Sequence, residues 1–138
     1  MPVMTNTETK EFLNRSLIAT LVTLRQDGSP HATPVWYMYE DGKFYMGADQ
    51  ETLKVRNIKR DDRVSLCIST HNEPYQYITV DGTCEIVKGD PKGTLPRISV
   101  RYLGEKRGKA YEEEMAPRDK SVMLVITPTK ILTENNPS

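Results

Sequence analysis

The stretch "ETLKVRNIK" gathers the side chains best suited to chemistry, with Thr52, Lys54, Arg56, Asn57 and Lys59 in close succession. They fall where a strand hands over to a helix, and the first N–H groups of a helix, which lack intrahelical partners, favour phosphate. Helical spacing limits which groups cooperate: Lys54 shares a face with Asn57 and Ile58, whereas Arg56 shares one with Lys59, Arg60 and Arg63. The same charges would equally make an ordinary solvated helix face. Upstream, "HATPVWYMYEDGKFYMGAD" offers a different opportunity. Pro34 interrupts a hydrogen-bond ladder, freeing backbone groups of Thr33, Val35 and Trp36 for a flat, polar-edged ligand, and the small pair Gly47 and Ala48 leaves room for its approach. A plain edge strand would explain Pro34 as well.

Other reactive residues point nowhere in particular. Cys67 and Cys84 sit in the strand-like runs "VSLCIST" and "TCEIV" and are expected to be buried, reduced thiols. With His31 and His71 they show no ligand spacing such as C-x-x-C or H-x-x-x-H, so no metal is expected. Nothing pairs either histidine with either cysteine as a nucleophile, and no catalytic residue is assigned.

The elements that must position these groups can be read from periodicity. "MPVMTNTETKEFLNR" predicts a short helix capped by Thr7 or Thr9, with Phe12 and Leu13 inward. "SLIATLVTLRQDGSPHATPVWYMYEDGKFYMGA" predicts three strands joined by Asp-Gly turns at Asp27-Gly28 and Asp41-Gly42. The period then changes to that of a short helix in "QETLKVRNIKRDD". "RVSLCIST" and "YQYITVDGTCEIV" predict strands, the second bent or bulged at Asp81-Gly82. "GDPKGTLPRISVRYLGEKRGKAYEEEM" predicts broken helical pieces, and a last strand passes through Pro128, tolerated only at an edge or bulge. The whole is mainly β with helical additions: a single domain over residues 1–138, about six antiparallel strands in a small barrel or sandwich with short helices.

In the first strand of the hairpin His31, Thr33, Val35, Tyr37 and Tyr39 share one face and Ala32, Pro34, Trp36, Met38 and Glu40 the other, and both are apolar. Three explanations stand open for the second face: a homodimer interface through Trp36, Met38, Phe44 and Met46, a ligand pocket, or cover by the N-terminal helix or the one near 95–103. Composition narrows the partners. The chain carries 19 basic and 19 acidic residues, so no global field draws it to nucleic acid or an anionic membrane. Its longest apolar run, Leu17 to Leu24, is too short to span a bilayer, and a cytoplasmic location is expected.

Taken in order, "IATLVTLRQDGSPHATPVWYMYEDGKFYMGA", "TLKVRNIKRDDRVSLCI" and "PYQYITVDGTCEIV" resemble the pyridoxamine 5′-phosphate oxidase-like split-barrel proteins, in particular the flavin/deazaflavin oxidoreductase group that uses coenzyme F420. The resemblance implies an FMN-binding-like split β-barrel, a homodimer, and cofactor sites in clefts between subunits. It maps Thr33, Pro34, Val35 and Trp36 along the tricyclic ring, Gly47 and Ala48 beside ring and phosphate, and Thr52, Lys54 and Asn57 at the phosphate. Gln76 and Tyr77 would approach the ring from the second subunit, while His31 matches no assigned role. The extended C-terminal Arg/His-bearing segment of a true pyridoxamine phosphate oxidase is not recognisable, which argues against that activity. The implied function is hydride transfer from reduced coenzyme F420 to a small unsaturated organic substrate, with an FMN oxidoreductase or a non-catalytic flavin or deazaflavin carrier or sensor as alternatives. Tyr37, Tyr77 and water are equal candidates for the balancing proton. Ligand contacts from Arg101, Lys106 or Arg107 have no motif behind them.

Overall fold

The computed structural model describes residues 3–135. Seven antiparallel strands form one sheet: β1 (Ala19–Leu24), β2 (Pro30–Val35), β3 (Met38–Glu40), β4 (Lys43–Asp49), β5 (Arg63–Ser69), β6 (Gln76–Lys88) and β7 (Ser121–Asn135). Four helices accompany them, α1 (Asn6–Leu13), α2 (Leu53–Arg60), α3 (Thr94–Leu103) and α4 (Glu105–Met115). The spatial order is β2-β1-β5-β6-β7-β4-β3. The two outermost strands are therefore neighbours in the chain, joined only through Trp36 and Tyr37. Such a link spans about 11 Å at full stretch, so the sheet has to curl until its edges meet. The result is a barrel with a seam at Trp36-Tyr37.

That seam corrects the expectation of one continuous strand from His31 to Tyr39, and of six strands in all. Tyr37 N–H finds no ladder partner and instead donates to Tyr102 Oη of α3 at 3.0 Å, while Tyr102 Oη donates to Leu17 O at 2.8 Å. One phenol thus satisfies backbone on both sides of the break. Arg101, next to it, is structural: its guanidinium donates to the carbonyls of Asn14 at 2.9 Å and Leu13 at 3.1 Å, a cation at the C-terminus of α1.

The inner surface carries the core. Leu21, Tyr37, Phe44, Met46, Ile68, Ile78, Leu124 and Ile126 have no solvent exposure, and α1 and α2 cover the barrel with Phe12, Leu13, Val55 and Ile58. On the outer face of β4 and β7, Tyr45 and Met123 pack against Leu95 of α3. The anticipated interface set is thereby divided: Phe44 and Met46 lie in the core, Met38 is half-buried, and Trp36 is covered by α3 and α4.

Local signals behave as their chemistry requires. Asp41 and Gly42 take φ of 54° and 75°, as a two-residue type I′ turn demands. The other Asp-Gly pair lies in a longer loop, since Leu24 pairs with Pro30. The β6–β7 ladder bulges at Asp81/Gly82: Asp81 pairs with Lys130 and Gly82 with Pro128, so the extra residue is Thr129 of β7. The α1 cap is Thr5 rather than Thr7 or Thr9, with Glu8 completing a capping box. Cys84 is buried, and burial pushes its thiol up to about 12; Cys67 is exposed, contrary to expectation.

Candidate functional site

One cleft of about 460 Å³ lies outside the barrel, between the seam and the α3–α4 hairpin. Its first wall comes from β2, β4 and α2: Pro34, Val35, Trp36, Gly47, Ala48, Asp49 and Lys54. β2 pairs only with β1, so its outer edge is unladdered, and Pro34 sits where a missing N–H costs no bond. Gly47 is required for a reason other than open space. A Cβ there would lie 2.2 Å from Leu95 Cδ2, so the missing side chain admits α3, whose Leu95 then lines the cleft.

Lys54 is the cation of this wall. It is half-buried at the start of α2, makes no ion pair with a described residue, and burial holds its pKa below the usual lysine value. Thr52 is the N-cap of α2 but its side chain accepts from no helix N–H; its hydroxyl donates to Asp49 O at 2.8 Å. The first N–H groups of α2 therefore lack a side-chain acceptor, beside a cation that lacks a counter-ion. That combination suits a phosphate. Asp49 carries the carboxylate on this wall, and its Oδ1 accepts from Glu51 N–H at 2.8 Å.

Leu95, Ile98, Ser99, Tyr111, Met115 and Arg118 from α3, α4 and the following loop make the second wall, with Ile18 and Ser121. Trp36 lies between the walls. Its indole is stacked on Tyr102, with centroids 5.0 Å apart and planes at 4°, and is tilted against Tyr111 at 5.8 Å. Arg118 donates through Nε and Nη2 to the two oxygens of Glu112 at 3.2 and 2.6 Å, and Ser99 Oγ donates to Glu112 Oε2 at 2.6 Å. Burial works to raise the Glu112 carboxyl, but the bonds from Arg118 and Ser99 and the Arg118 charge outweigh it, leaving the pKa below 4.5.

The structure brings Pro34, Val35, Trp36, Gly47, Ala48 and Lys54 together on one surface and leaves five expected residues elsewhere. Thr33 does not line the cleft, and its buried Oγ1 has no partner. Thr52 is held by Asp49 as described. Asn57 is corrected from phosphate ligand to buried strut: it is 1% exposed, its Nδ2 donates to Thr23 Oγ1 at 3.0 Å, and it ties α2 to β1. Gln76 and Tyr77 open β6 away from this cleft, and Gln76 Nε2 donates to Asn135 Oδ1 at 2.7 Å beside a separate hollow lined by Arg15, His71 and Pro74. Tyr37 faces the core with its hydroxyl on Leu13 O and Arg15 O, and burial pushes its phenol far above the usual range, which removes it as a proton donor. Lys106 and Arg107 are exposed on α4 and Arg101 is engaged at α1, so none of the three lines the cleft. The α3–α4 residues escaped sequence reading because nothing in their spacing says which strand they pack against.

Among the described residues no cluster of three or more His, Cys, Asp or Glu side chains could hold a metal, and no helix is long and apolar enough to cross a membrane. The model of the pyridoxamine 5′-phosphate oxidase family matches residues 5–135. Among solved structures, an F420 reductase is 29% identical, with a TM-score of 0.76 over 88% of this chain and 94% of that one. A conserved hypothetical protein from Mycobacterium tuberculosis is 27% identical, with a TM-score of 0.82 over 98% and 87%. A FAD-binding protein from Mesorhizobium loti, 18% identical, shares the fold with a TM-score of 0.71 over 97% and 96%. No curated protein matches the chain.

Proposed function

Because the chain belongs to the pyridoxamine 5′-phosphate oxidase family, we propose that it is an oxidoreductase that uses reduced coenzyme F420 to transfer a hydride to a small unsaturated organic substrate. The observation that carries the reading is Lys54, a half-buried cation without an ion-pair partner among the described residues, at the uncapped start of α2 and opening on a cleft with an aromatic wall. The 29% identical F420 reductase supports the choice of deazaflavin over FMN. When bound, the reduced deazaflavin supplies the hydride.

The chain's own residues supply everything else. Lys54 and the free N–H groups of α2 would hold a cofactor phosphate, and the bare backbone edge at Pro34-Val35-Trp36 would offer polar groups to the ring. Ala48 and the Gly47 backbone keep that floor flat, and Trp36, fixed by Tyr102, limits tilting. Ile18, Ile98, Leu95 and Met115 exclude water from the opposite side.

The proposed working unit is a homodimer in which Gln76 and Tyr77 of each copy complete the other's cleft. Two features support it: Ile18 and Met115, on the cleft, each remain 43% exposed, and β7 beyond Ile126 has no strand on its β4 side.

Titration with coenzyme F420 and with FMN, read through Trp36, the sole tryptophan, tests the cofactor. Saturable binding of F420, weakened by about 1–3 kcal/mol in Lys54→Ala, is the expected result. Tighter binding of FMN would transfer the reading to a flavin enzyme, and binding of neither would remove it. Oxidation of reduced F420 by quinones or enones no faster than without protein would leave a carrier or sensor.

A further inference from the structure

We infer that the α4 end of the cleft is a substrate subsite that takes an uncharged, carbonyl-bearing apolar compound and discriminates against a carboxylate. The inference rests on the reading of this cleft as a cofactor and substrate site. Its basis is the different condition of the two cations that line it.

Lys54 has no counter-ion among the described residues and is fit to neutralise an anion. Arg118 is already neutralised: its Nε and Nη2 form a fork onto Glu112, the two side chains are 23% and 17% exposed, and Ser99, itself 3% exposed, fixes the carboxylate from behind. The guanidinium also lies over the Tyr111 ring at 5.7 Å, which sets its plane. What remains is Nη1, without a partner among the described residues, on a cation whose charge Glu112 shares. A donor of that kind satisfies a carbonyl oxygen. A carboxylate bonded there would share the guanidinium with Glu112 and meet like charge across it. Ile98, Met115 and Ile18 around it offer only apolar contact. Unsaturated esters, ketones and quinones fit this description; unsaturated acids do not.

Methyl cinnamate and cinnamate share one skeleton and differ by the charge in question. Their affinities for the full chain, read by quenching of Trp36, give the test, and only their ratio is used. With Lys54 occupied by excess inorganic phosphate in every titration of the pair, the wild-type chain is expected to prefer the ester. Glu112→Gln, which frees the Arg118 charge, should move the ratio toward the acid by about tenfold. Arg118→Gln, which leaves Glu112 unpaired, should move it further toward the ester, and the double variant should return close to wild type. Loosening of α4 weakens both compounds together and leaves the ratio alone, so a partly unfolded single variant still reports through its partner. Preference for the acid in the wild type, ratios unmoved by either substitution, or no saturable quenching by either compound overturns the inference. Cofactor titration of the same samples separates the two failures: F420 or FMN binding without ester preference defeats this inference alone, and ester preference without cofactor binding defeats the cofactor reading alone.

Discussion

The two walls of the cleft are made by different physics. The β2–β4–α2 wall is a product of ladders: Ala19 to Leu24 fix β2 residue by residue, and Val122 to Ile126 fix β4. The α3–α4 wall belongs to no ladder. It is held by single contacts, among them Leu95 seated over Gly47, Tyr102 at the seam, Arg101 on the α1 carbonyls, Arg97 on Glu40, and Gly108 against Val100. A cleft between them has one side whose position is overdetermined and one that depends on single contacts. Substitutions on the second side should therefore reshape the cleft while the barrel persists.

The largest effect is expected at Gly108. A Cβ there would lie 2.7 Å from Val100 Cα and 2.8 Å from Val100 N, backbone atoms that have no rotamer to escape into. Gly108→Val should cost about 2–3 kcal/mol in urea unfolding and release Trp36 from Tyr111, with the strand signal in circular dichroism intact. An unchanged midpoint would mean that α4 is not seated by this contact.

Tyr102→Phe comes next. It keeps the stack on Trp36 but strands the Tyr37 N–H and Leu17 carbonyl, for an expected loss of about 1–2 kcal/mol. Hydrogen exchange sharpens the contrast between walls: the Tyr37 amide should exchange faster while Phe44 and Met46, inside the β4 ladder, keep their protection. Equal acceleration at all three would erase the distinction.

The smallest effect concerns acid. A carboxyl whose folded pKa is depressed stabilises the fold above its unfolded value and loses that contribution as pH falls through the folded one. Glu112 is such a group, so the α4 contacts should weaken as pH drops below about 4.5, seen as a change in Trp36 emission before barrel unfolding. Arg118→Gln should remove most of that early change. If it does not, the acid response comes from another carboxyl.

Sequence reading succeeded where chemistry is local. The Asp41-Gly42 turn and the α2 helix are each dictated by residues within a few positions, and the structure has both, while the irregularity expected at Asp81-Gly82 is there with its extra residue on β7. The structure also gathers Pro34, Trp36, Gly47, Ala48 and Lys54 on one wall of the cleft. The break after Val35 was hidden because alternation of buried residues passes straight through it: Val35 and Tyr37 are both buried, and the partner that replaces the ladder, Tyr102, is far along the chain. Asn57 was misread for a related reason. Helical spacing says that it accompanies Ile58, but only the position of Thr23 on β1 says that this face turns inward. The α3–α4 wall was illegible throughout, since basic and aromatic residues at helical spacing carry no address.

The seat of Leu95 has a use beyond holding α3. Because one methyl group occupies the volume that a side chain at position 47 would need, the width of the opening is governed from its floor. A residue larger than glycine there would first turn the Leu95 side chain, whose Cδ2 is the atom in the way, and so change the shape of the cleft beside it. Position 47 is thus an adjustment screw for the aperture, acting through the rotamer of Leu95.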